Sequence, residues 1–194
     1  LGYTNRCFPQ VAEENNYLTV TYYDDYSFKS LMGTAADDYN YDNTRLVASG
    51  SEKGQPDEEF TRVQGQVTGT KIKNLATNAW LWSVNYYDDR YRVIQVIADN
   101  NKGGIDKTTS VYDFAGKVLR TKTDHSISGG TPLTTSRKMT YDHAGRLLQT
   151  DHSTNNGPAV TLAKNEYNEL GQLITKNLHS YSSDFKQQEN YRYN

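Results

Sequence analysis

Hydrophobic and polar residues alternate along short stretches of this chain, and turn-forming residues separate the stretches. Between Arg137 and Tyr141, for example, Arg137, Met139 and Tyr141 fall on one face of an extended strand and the intervening residues on the other. A period of two residues is typical of strands, whereas amphipathic helices repeat every three to four residues. The pattern therefore predicts an all-β fold made of tandem antiparallel hairpins.

The segment that follows this strand shows how two strands are joined. It reads Tyr141-Asp142-His143-Ala144-Gly145-Arg146-Leu147-Leu148. An aspartate can hydrogen-bond the backbone two residues further on and open a type I turn, and a glycine can adopt the positive φ that closes a hairpin with a bulge. We therefore predict backbone roles, not catalytic ones, for Asp142 and Gly145.

The same motif recurs along the second half of the chain. Copies run from Tyr112 to Leu119 and from Tyr167 to Ile174. Successive motif tyrosines are separated by 25, 29, 26 and 26 residues, a period typical of stacked supersecondary units, and a loop insertion at 126–132 accounts for the long step. The predicted structural residues of the repeats are Tyr87, Asp88, Tyr112, Asp113, Gly116, Tyr141, Asp142, Gly145, Arg146, Tyr167, Asn168, Gly171 and Tyr193.

Two weaker copies precede these regular ones, at Tyr22–Tyr26 and at Tyr86–Ile94. In the second copy Tyr91 stands at the position of the turn glycine, which leaves the geometry of that turn open. We divide the chain accordingly into an N-terminal β region with degenerate repeats, residues 1–85, and a region of regular repeats, residues 86–194.

The repeated motif consists of tyrosine, aspartate, two variable residues, glycine, a basic or polar residue and then aliphatic residues. It resembles the YD-repeat proteins, which include the bacterial Rhs proteins and the shell of related toxin complexes. The resemblance implies a β-sheet ribbon that spirals into a hollow shell, often around the C-terminal toxin of the same chain. In such proteins the enzymatic activity belongs to the toxin, so the resemblance implies that this segment is shell wall and not an enzyme.

The resemblance also implies partners and a location. The expected partners are the remaining repeats and the C-terminal cargo of a longer chain, and the expected location is the outside or the surface of a bacterial cell. The doubled Tyr-Asp-Asp variant is similar to Rhs proteins of bacteria that use type IX secretion, which implies an outer-membrane translocon as a further partner. The chain begins with Leu1-Gly2 and ends within a further motif copy at Tyr193-Asn194, so we expect a piece of a longer polypeptide.

Four further stretches of the N-terminal half carry structural predictions. Residues 18–23 and the tryptophan-containing stretch 80–84 are rich in β-branched and aromatic residues and predict strands. Arg62–Lys73 alternates around glycines and predicts a hairpin or two short strands. The acidic stretch 37–60 predicts a solvated, partly mobile loop, with a metal or partner site as the less favoured alternative.

Composition narrows the possible functions. With glycine counted and tyrosine left out, the apolar fraction is roughly 34%, below the 45–50% usual for globular domains. A chain with 16 tyrosines and a mean hydropathy of −0.85 fits a thin sheet that is largely polar on both sides. A net charge of −2 does not indicate a basic surface that would bind nucleic acid or an anionic membrane. No apolar run approaches the length of a membrane span.

Catalytic and metal-binding patterns are absent from the sequence. The four histidines form no close pair, and Cys7, which we interpret as a semi-buried structural residue, is the single thiol, so neither zinc nor another cofactor is expected. The stretch Asp99–Asp106 resembles the start of an EF-hand calcium loop. Gly103 and Ser110, however, stand where the fifth and twelfth calcium ligands would be, so we predict a polar turn.

A second hypothesis belongs to another functional class. Trp80 and Trp82 share one strand face, and we interpret them as anchors of the sheet, with a platform for glycans or proteins as the alternative. A surface adhesin is therefore the rival to a shell segment.

Overall fold

The computed structural model describes residues 16–46, 52, 54–181 and 184–194 of the 194-residue chain. These residues form one antiparallel sheet of 11 strands, and the strands lie side by side in chain order. The predicted all-β fold of tandem antiparallel hairpins is therefore confirmed. Cys7 and the part of the turn at Ser182 and Ser183 lie outside the described residues.

The strands are short and regular, as the period-two pattern predicts. They are β1 (Thr19–Asp24), β2 (Val63–Lys73), β3 (Trp80–Tyr87), β4 (Val93–Asp99), β5 (Ile105–Tyr112), β6 (Val118–His125), β7 (Leu133–Tyr141), β8 (Leu147–Thr154), β9 (Val160–Tyr167), β10 (Leu173–Ser180) and β11 (Gln187–Asn190).

Two sets of turns alternate along this ribbon. The repeated motif forms the turns that join β3 to β4, β5 to β6, β7 to β8 and β9 to β10, so these turns lie along one side of the ribbon, the motif side. The turns that join β4 to β5, β6 to β7 and β8 to β9 lie along the opposite side, the far side. The predicted loop insertion at 126–132 lies on the far side, and its Ser126 carbonyl accepts a hydrogen bond from Asn100 in the preceding far-side turn.

The predicted polar turn at Asp99–Asp106 is one of these far-side turns. The side-chain oxygen of Asn100 accepts hydrogen bonds from the backbone N–H groups of Lys102 and Gly104. Gly103 has a φ of 72°, a conformation that glycine adopts without steric cost.

The first described part of the chain departs from the sequence predictions. The weak copy Tyr22–Tyr26 does not form a hairpin, because β1 ends at Asp24 and a 3-10 helix follows over Ser27–Tyr39, with a kink at Gly33. We call residues 27–46 the cover segment. The acidic stretch was expected to be a solvated loop from residue 37, but Tyr39 and Leu46 are buried because the cover segment lies against one face of the sheet.

The prediction of a hairpin or two short strands over Arg62–Lys73 was wrong. The segment Val63–Lys73 is a single strand, and its glycines do not form turns. At Gly69 a side chain would overlap the ring of Phe28, so this glycine provides space for the cover segment.

The hydrophobic core is confined to the N-terminal half of the sheet. Every buried hydrophobic residue among the described residues lies between Tyr22 and Val111. Aromatic rings dominate it: Tyr22 stacks on Phe28 at 4.6 Å between ring centroids, and Tyr26 stacks on Tyr86 at 4.9 Å. From β6 onward the hydrophobic side chains are at most partly buried, which agrees with a thin and largely polar sheet.

Candidate functional site

The motif turn after β7 shows how one repeat is built. We number the motif from its tyrosine, so that Tyr141 is position 1, Asp142 position 2, Gly145 position 5, Arg146 position 6 and Leu147 position 7. The carboxylate of Asp142 accepts hydrogen bonds from the backbone N–H of Arg146 at 2.8 Å and from its guanidinium at 2.6 Å. The aspartate therefore closes the turn and fixes the side chain of position 6.

The other motif turns share this geometry. In each, the position-2 backbone N–H donates to the position-6 carbonyl and the position-5 N–H donates to the position-2 carbonyl, at 2.9–3.2 Å. The position-2 side chain accepts from the position-6 N–H in all four turns, including the one in which Asn168 replaces aspartate.

The turn at Tyr91, left open by the sequence, is formed like the others. Tyr91 adopts a φ of 58°, in the left-handed region where the other repeats place Gly116, Gly145 and Gly171. A side chain in this conformation costs about 1–2 kcal/mol. The Tyr91 ring contacts Phe60 edge-on, with 6.0 Å between ring centroids, and the hydrogen bonds of Asp88 hold the turn in place.

The motif tyrosines connect each repeat to the one before it. The hydroxyl of each donates a hydrogen bond to the position-7 backbone carbonyl of the preceding repeat: Tyr112 to Val93 at 2.7 Å, Tyr141 to Val118 at 3.0 Å, Tyr167 to Leu147 at 3.0 Å and Tyr193 to Leu173 at 2.8 Å. Tyr87 makes the corresponding bond to Val67 in β2 at 2.6 Å. We call this series the tyrosine ladder.

Basic side chains at position 6 lie against the ladder tyrosine of the following repeat. The guanidinium carbon of Arg92 is 4.9 Å from the ring centroid of Tyr112, and that of Arg146 is 4.9 Å from Tyr167. Lys117 approaches the ring of Tyr141 at 5.6 Å. Cations over aromatic faces are attracted by the ring quadrupole, so position 6 connects its own turn to the next repeat. In the motif that begins at Tyr167, position 6 is Gln172, and its side chain is uncharged.

The position-5 glycines have a second role that the sequence did not reveal. A Cβ atom added at Gly145 would overlap the ammonium group of Lys117, and one at Gly171 would lie 3.2 Å from the guanidinium of Arg146. The glycine therefore gives the turn its positive φ and also leaves space for the basic side chain of the preceding repeat.

Hydrogen bonding and burial shift the pKa values along the motif side. The hydrogen bond from the Arg146 backbone N–H, assisted by the guanidinium, lowers the pKa of Asp142 below its usual value. Burial raises the pKa values of Tyr112 and Tyr141. These tyrosines thus remain protonated hydrogen-bond donors at neutral pH.

On the covered face, polar side chains of the sheet bind the backbone of the cover segment. The amide of the buried residue Gln95 accepts from the Asp42 N–H and donates to the Asp42 carbonyl, both at 2.9 Å. The hydroxyl of Tyr86 donates to the Tyr39 carbonyl at 2.5 Å, and the Tyr39 hydroxyl bonds Asp99. Burial raises the pKa values of Tyr39 and Tyr86 well above the ordinary value.

The interpretation of the two tryptophans as sheet anchors agrees with their contacts. Trp82 stacks on Tyr22 at 5.8 Å between ring centroids. The ammonium group of the buried residue Lys71 lies 4.7 Å from Trp80 and 5.3 Å from Trp82. Both indole rings are partly buried, which reduces the surface that they could offer to a glycan.

One of the histidines, His125, contacts an acidic side chain. His125 bonds Asp106 at 2.6 Å, and the hydroxyl of its neighbour Ser126 donates to the carbonyl of Ile105. In the part of the chain that the structure describes, no group of three or more histidine, cysteine, aspartate or glutamate residues is placed to hold a metal ion. No helix over those residues has the length and apolar character of a membrane span.

Comparisons with known proteins give similarity to solved structures but no match to a family or a curated protein. Among solved structures, the chain is similar to a chain in the Tc holotoxin pore of Photorhabdus luminescens, in a form with a mutation in TccC3. The identity is 16% and the TM-score 0.40, over 71% of this chain and 9% of that chain. This chain therefore spans a small part of the length of the chain it matches.

Proposed function

We propose that this chain is a structural segment of the β-sheet shell of a large secreted or cell-surface protein, and that the shell encloses a C-terminal toxin or effector of the same polypeptide. The function would be steric, because a continuous wall keeps the enclosed segment away from the producing cell.

The observation that carries the proposal is the tyrosine ladder. A shell wall must be cohesive along its length, although a thin sheet has little hydrophobic core to hold it together. Each ladder bond joins neighbouring repeats through a side chain of one and the backbone of the other, at 2.6–3.0 Å. Such nearest-neighbour coupling stabilises a quasi-one-dimensional array without requiring a thick core.

The polarity of the sheet from β6 to β11 also supports a wall. Half-buried polar side chains cover these strands, so that water can be present on either side of the ribbon. A shell with an aqueous interior needs such two-sided polarity, whereas a globular enzyme domain buries one face of its sheet.

The test uses the native polypeptide that contains this sequence. We expect its mass and terminal sequences to reveal further repeats and a C-terminal domain of different composition, which the intact protein protects from added protease. Replacing Tyr112, Tyr141 and Tyr167 together with phenylalanine should open the wall and make that domain cleavable. Tyr91→Phe, outside the ladder, is the control and should leave the protection intact. A mature protein without such a domain would overturn the proposal.

The surface location and the route of export are part of the same proposal. If the protein is exported through an outer-membrane translocon, it should accumulate inside cells that lack the translocon. Secretion at the normal level from such cells would exclude that route without affecting the shell.

A surface adhesin is the second candidate function. Large apolar side chains at the motif turns favour it, since Phe114 is 85% and Leu170 84% exposed. Loss of cell adhesion or glycan-array binding in a Phe114→Ser/Leu170→Ser variant would favour this function. The corresponding test of the platform hypothesis is a Trp80→Ala/Trp82→Ala variant, and unchanged adhesion there would reject the platform.

A further inference from the structure

The carboxamide of Gln95 holds the cover segment by both of its polar atoms. Its Oε1 accepts from the Asp42 N–H and its Nε2 donates to the Asp42 carbonyl, both at 2.9 Å. The same Nε2 donates to the hydroxyl of Thr109 in the next strand at 3.1 Å. We call this arrangement the carboxamide clamp. Because it binds backbone atoms, it can hold an extended chain whatever side chain that chain carries at the clamped residue.

A later repeat carries a second glutamine at the same motif position and on the same face. Gln95 and Gln149 both stand at position 9. Direct cross-strand pairs lead from Gln95 through Lys122 to Ser153, which lies four residues after Gln149 in β8. Directly paired residues, and residues an even number apart in one strand, share a face of the sheet. Gln149 therefore faces the same side as the clamp at Gln95.

Gln149 forms only half of such a clamp. Its Nε2 donates to the carboxylate of Asp151 at 2.8 and 3.0 Å and reaches the hydroxyl of Thr161 in the next strand at 3.4 Å. Its Oε1 accepts no hydrogen bond from the residues that the structure describes. This is the atom that, in Gln95, accepts the Asp42 N–H. The acceptor of a second clamp is thus present on the face of β8.

The charges around Gln149 call for an acidic partner. Arg120 in β6 and Lys138 in β7 are directly opposite each other, and like charges so placed are destabilising. Glu52 of the acidic stretch compensates Arg120, at 2.5 Å between Oε2 and Nη2. Lys138, and Lys164 opposite Gln149, are exposed and form no ion pair or hydrogen bond in the described part of the chain. A second acidic chain would compensate them as Glu52 compensates Arg120.

We propose that the face of β7–β9 around Gln149 is a docking site for an extended acidic segment of a partner polypeptide. Gln149 Oε1 accepts a backbone N–H of the segment, and Lys138 and Lys164 bind its carboxylates. A second copy of this chain does not fit the site, because its own acidic stretch is attached to its own sheet. The site goes beyond the proposed shell function and does not depend on it.

The probe is a peptide with the sequence of residues 36–44, which contains Asp42 and carries three aspartates and no basic residue. One matched peptide has asparagine at all three aspartates, and another is N-methylated at the residue equivalent to Asp42. Each is titrated into the 15N-labelled chain and followed by NMR. We expect the acidic peptide to shift the side-chain amide signals of Gln149 most strongly. The asparagine peptide should bind about 2- to 10-fold more weakly at low salt.

Substitutions separate the clamp from the charges. Gln149→Leu should weaken binding about 2- to 10-fold, as should N-methylation of the peptide. The two changes together should cause no further loss, because both remove the same hydrogen bond.

The charge variants test the second part of the site. Lys138→Gln/Lys164→Gln should abolish the preference for the acidic over the asparagine peptide. Arg137→Gln is the matched control and should preserve it, since Arg137 lies next to Lys138 but on the opposite face. Glu166→Gln removes a carboxylate from the same face as Lys164 and should strengthen binding of the acidic peptide up to about fivefold.

Three results would overturn the proposal. The first is the absence of shifts at Gln149 up to millimolar peptide, and the second is equal affinity of the three peptides. The third is self-association of the chain that Gln149→Leu abolishes, which would assign the site to a second copy. Any of them leaves the shell function to the protease-protection experiment, since that experiment depends on the tyrosine ladder and not on this face.

Discussion

The hydroxyl of Tyr141 donates a hydrogen bond to the backbone carbonyl of Val118, a residue 23 positions earlier, at 3.0 Å. This bond crosses from one hairpin to the preceding one, so a single side-chain atom contributes to the cohesion of two repeats. A net contribution of about 1 kcal/mol is typical of such a bond.

The first prediction concerns this hydroxyl. Tyr141→Phe removes the bond, keeps the ring and should lower the free energy of unfolding by about 1 kcal/mol, because the Val118 carbonyl loses its partner. Urea unfolding of the 194-residue chain measures the change. Tyr91→Phe is the control, since Tyr91 is half exposed and outside the ladder, and should change the stability by less than about 0.5 kcal/mol. Equal effects of the two substitutions would contradict the ladder.

The second prediction concerns the left-handed turn position. Gly145→Ala should destabilise the chain by about 1–2 kcal/mol, because alanine is strained at a φ of 78° and its Cβ would displace Lys117. Tyr91→Gly should leave the free energy of unfolding nearly unchanged. Glycine relieves the backbone strain, but the contact with Phe60 is lost and the unfolded chain gains conformational freedom, so the effects offset each other. A large loss of stability in Tyr91→Gly would show that the tyrosine ring, and not the backbone, determines that turn.

The third prediction concerns the coupling between Arg146 and Tyr167. A double-mutant cycle with Arg146→Ala and Tyr167→Leu should give an interaction energy of about 0.5–1 kcal/mol, as expected for a partly exposed cation over a ring. The matched cycle of Gln172→Ala with Tyr193→Leu should give a value near zero, because Gln172 has no charge. Similar energies in the two cycles would contradict a cation–ring interaction.

The fourth prediction concerns the attachment of the cover segment. Gln95→Leu should cost about 1–3 kcal/mol, because the Asp42 N–H loses its acceptor and the Asp42 carbonyl keeps only the long bond from Gln55 at 3.4 Å. Faster hydrogen exchange at the Asp42 amide would identify the cause. Gln149 occupies the same motif position in a later repeat but is only partly buried, so Gln149→Leu should cost less than about 1 kcal/mol. An unchanged Asp42 exchange rate would contradict the attachment.

The fifth prediction concerns acid. The folded-state pKa of Asp142 is lower than that of the unfolded chain, so its contribution to stability is complete above about pH 4 and is lost as the pH falls through the folded-state value. Asp142→Asn keeps the turn acceptor, as Asn168 shows, but removes the charge. Urea midpoints measured between neutral pH and pH 3 should therefore fall less steeply in the variant. Parallel pH curves for the two proteins would contradict this role.

Local chemistry explains why the second half of the fold was predictable. Aspartate and glycine at fixed spacing determine a turn through bonds within five residues, and Asp113, Asp142 and Asn168 each accept the N–H of position 6. The N-terminal half was less predictable. The position of the cover segment depends on Gln95, Tyr86 and Asp99, which are far away in the chain, and no local pattern indicates those contacts.

The sequence by itself determined the strands, the turns and the period of the regular repeats, because each depends on side chains acting on their own or nearby backbone. The tertiary structure alone decided which hydroxyl bonds which carbonyl, which ring lies under Arg146 and which face the cover segment occupies. These contacts join residues 19 or more positions apart, and their formation depends on the register of whole strands. The register depends on how all the strands of the sheet pair with one another, so it is known only from the structure of the whole sheet.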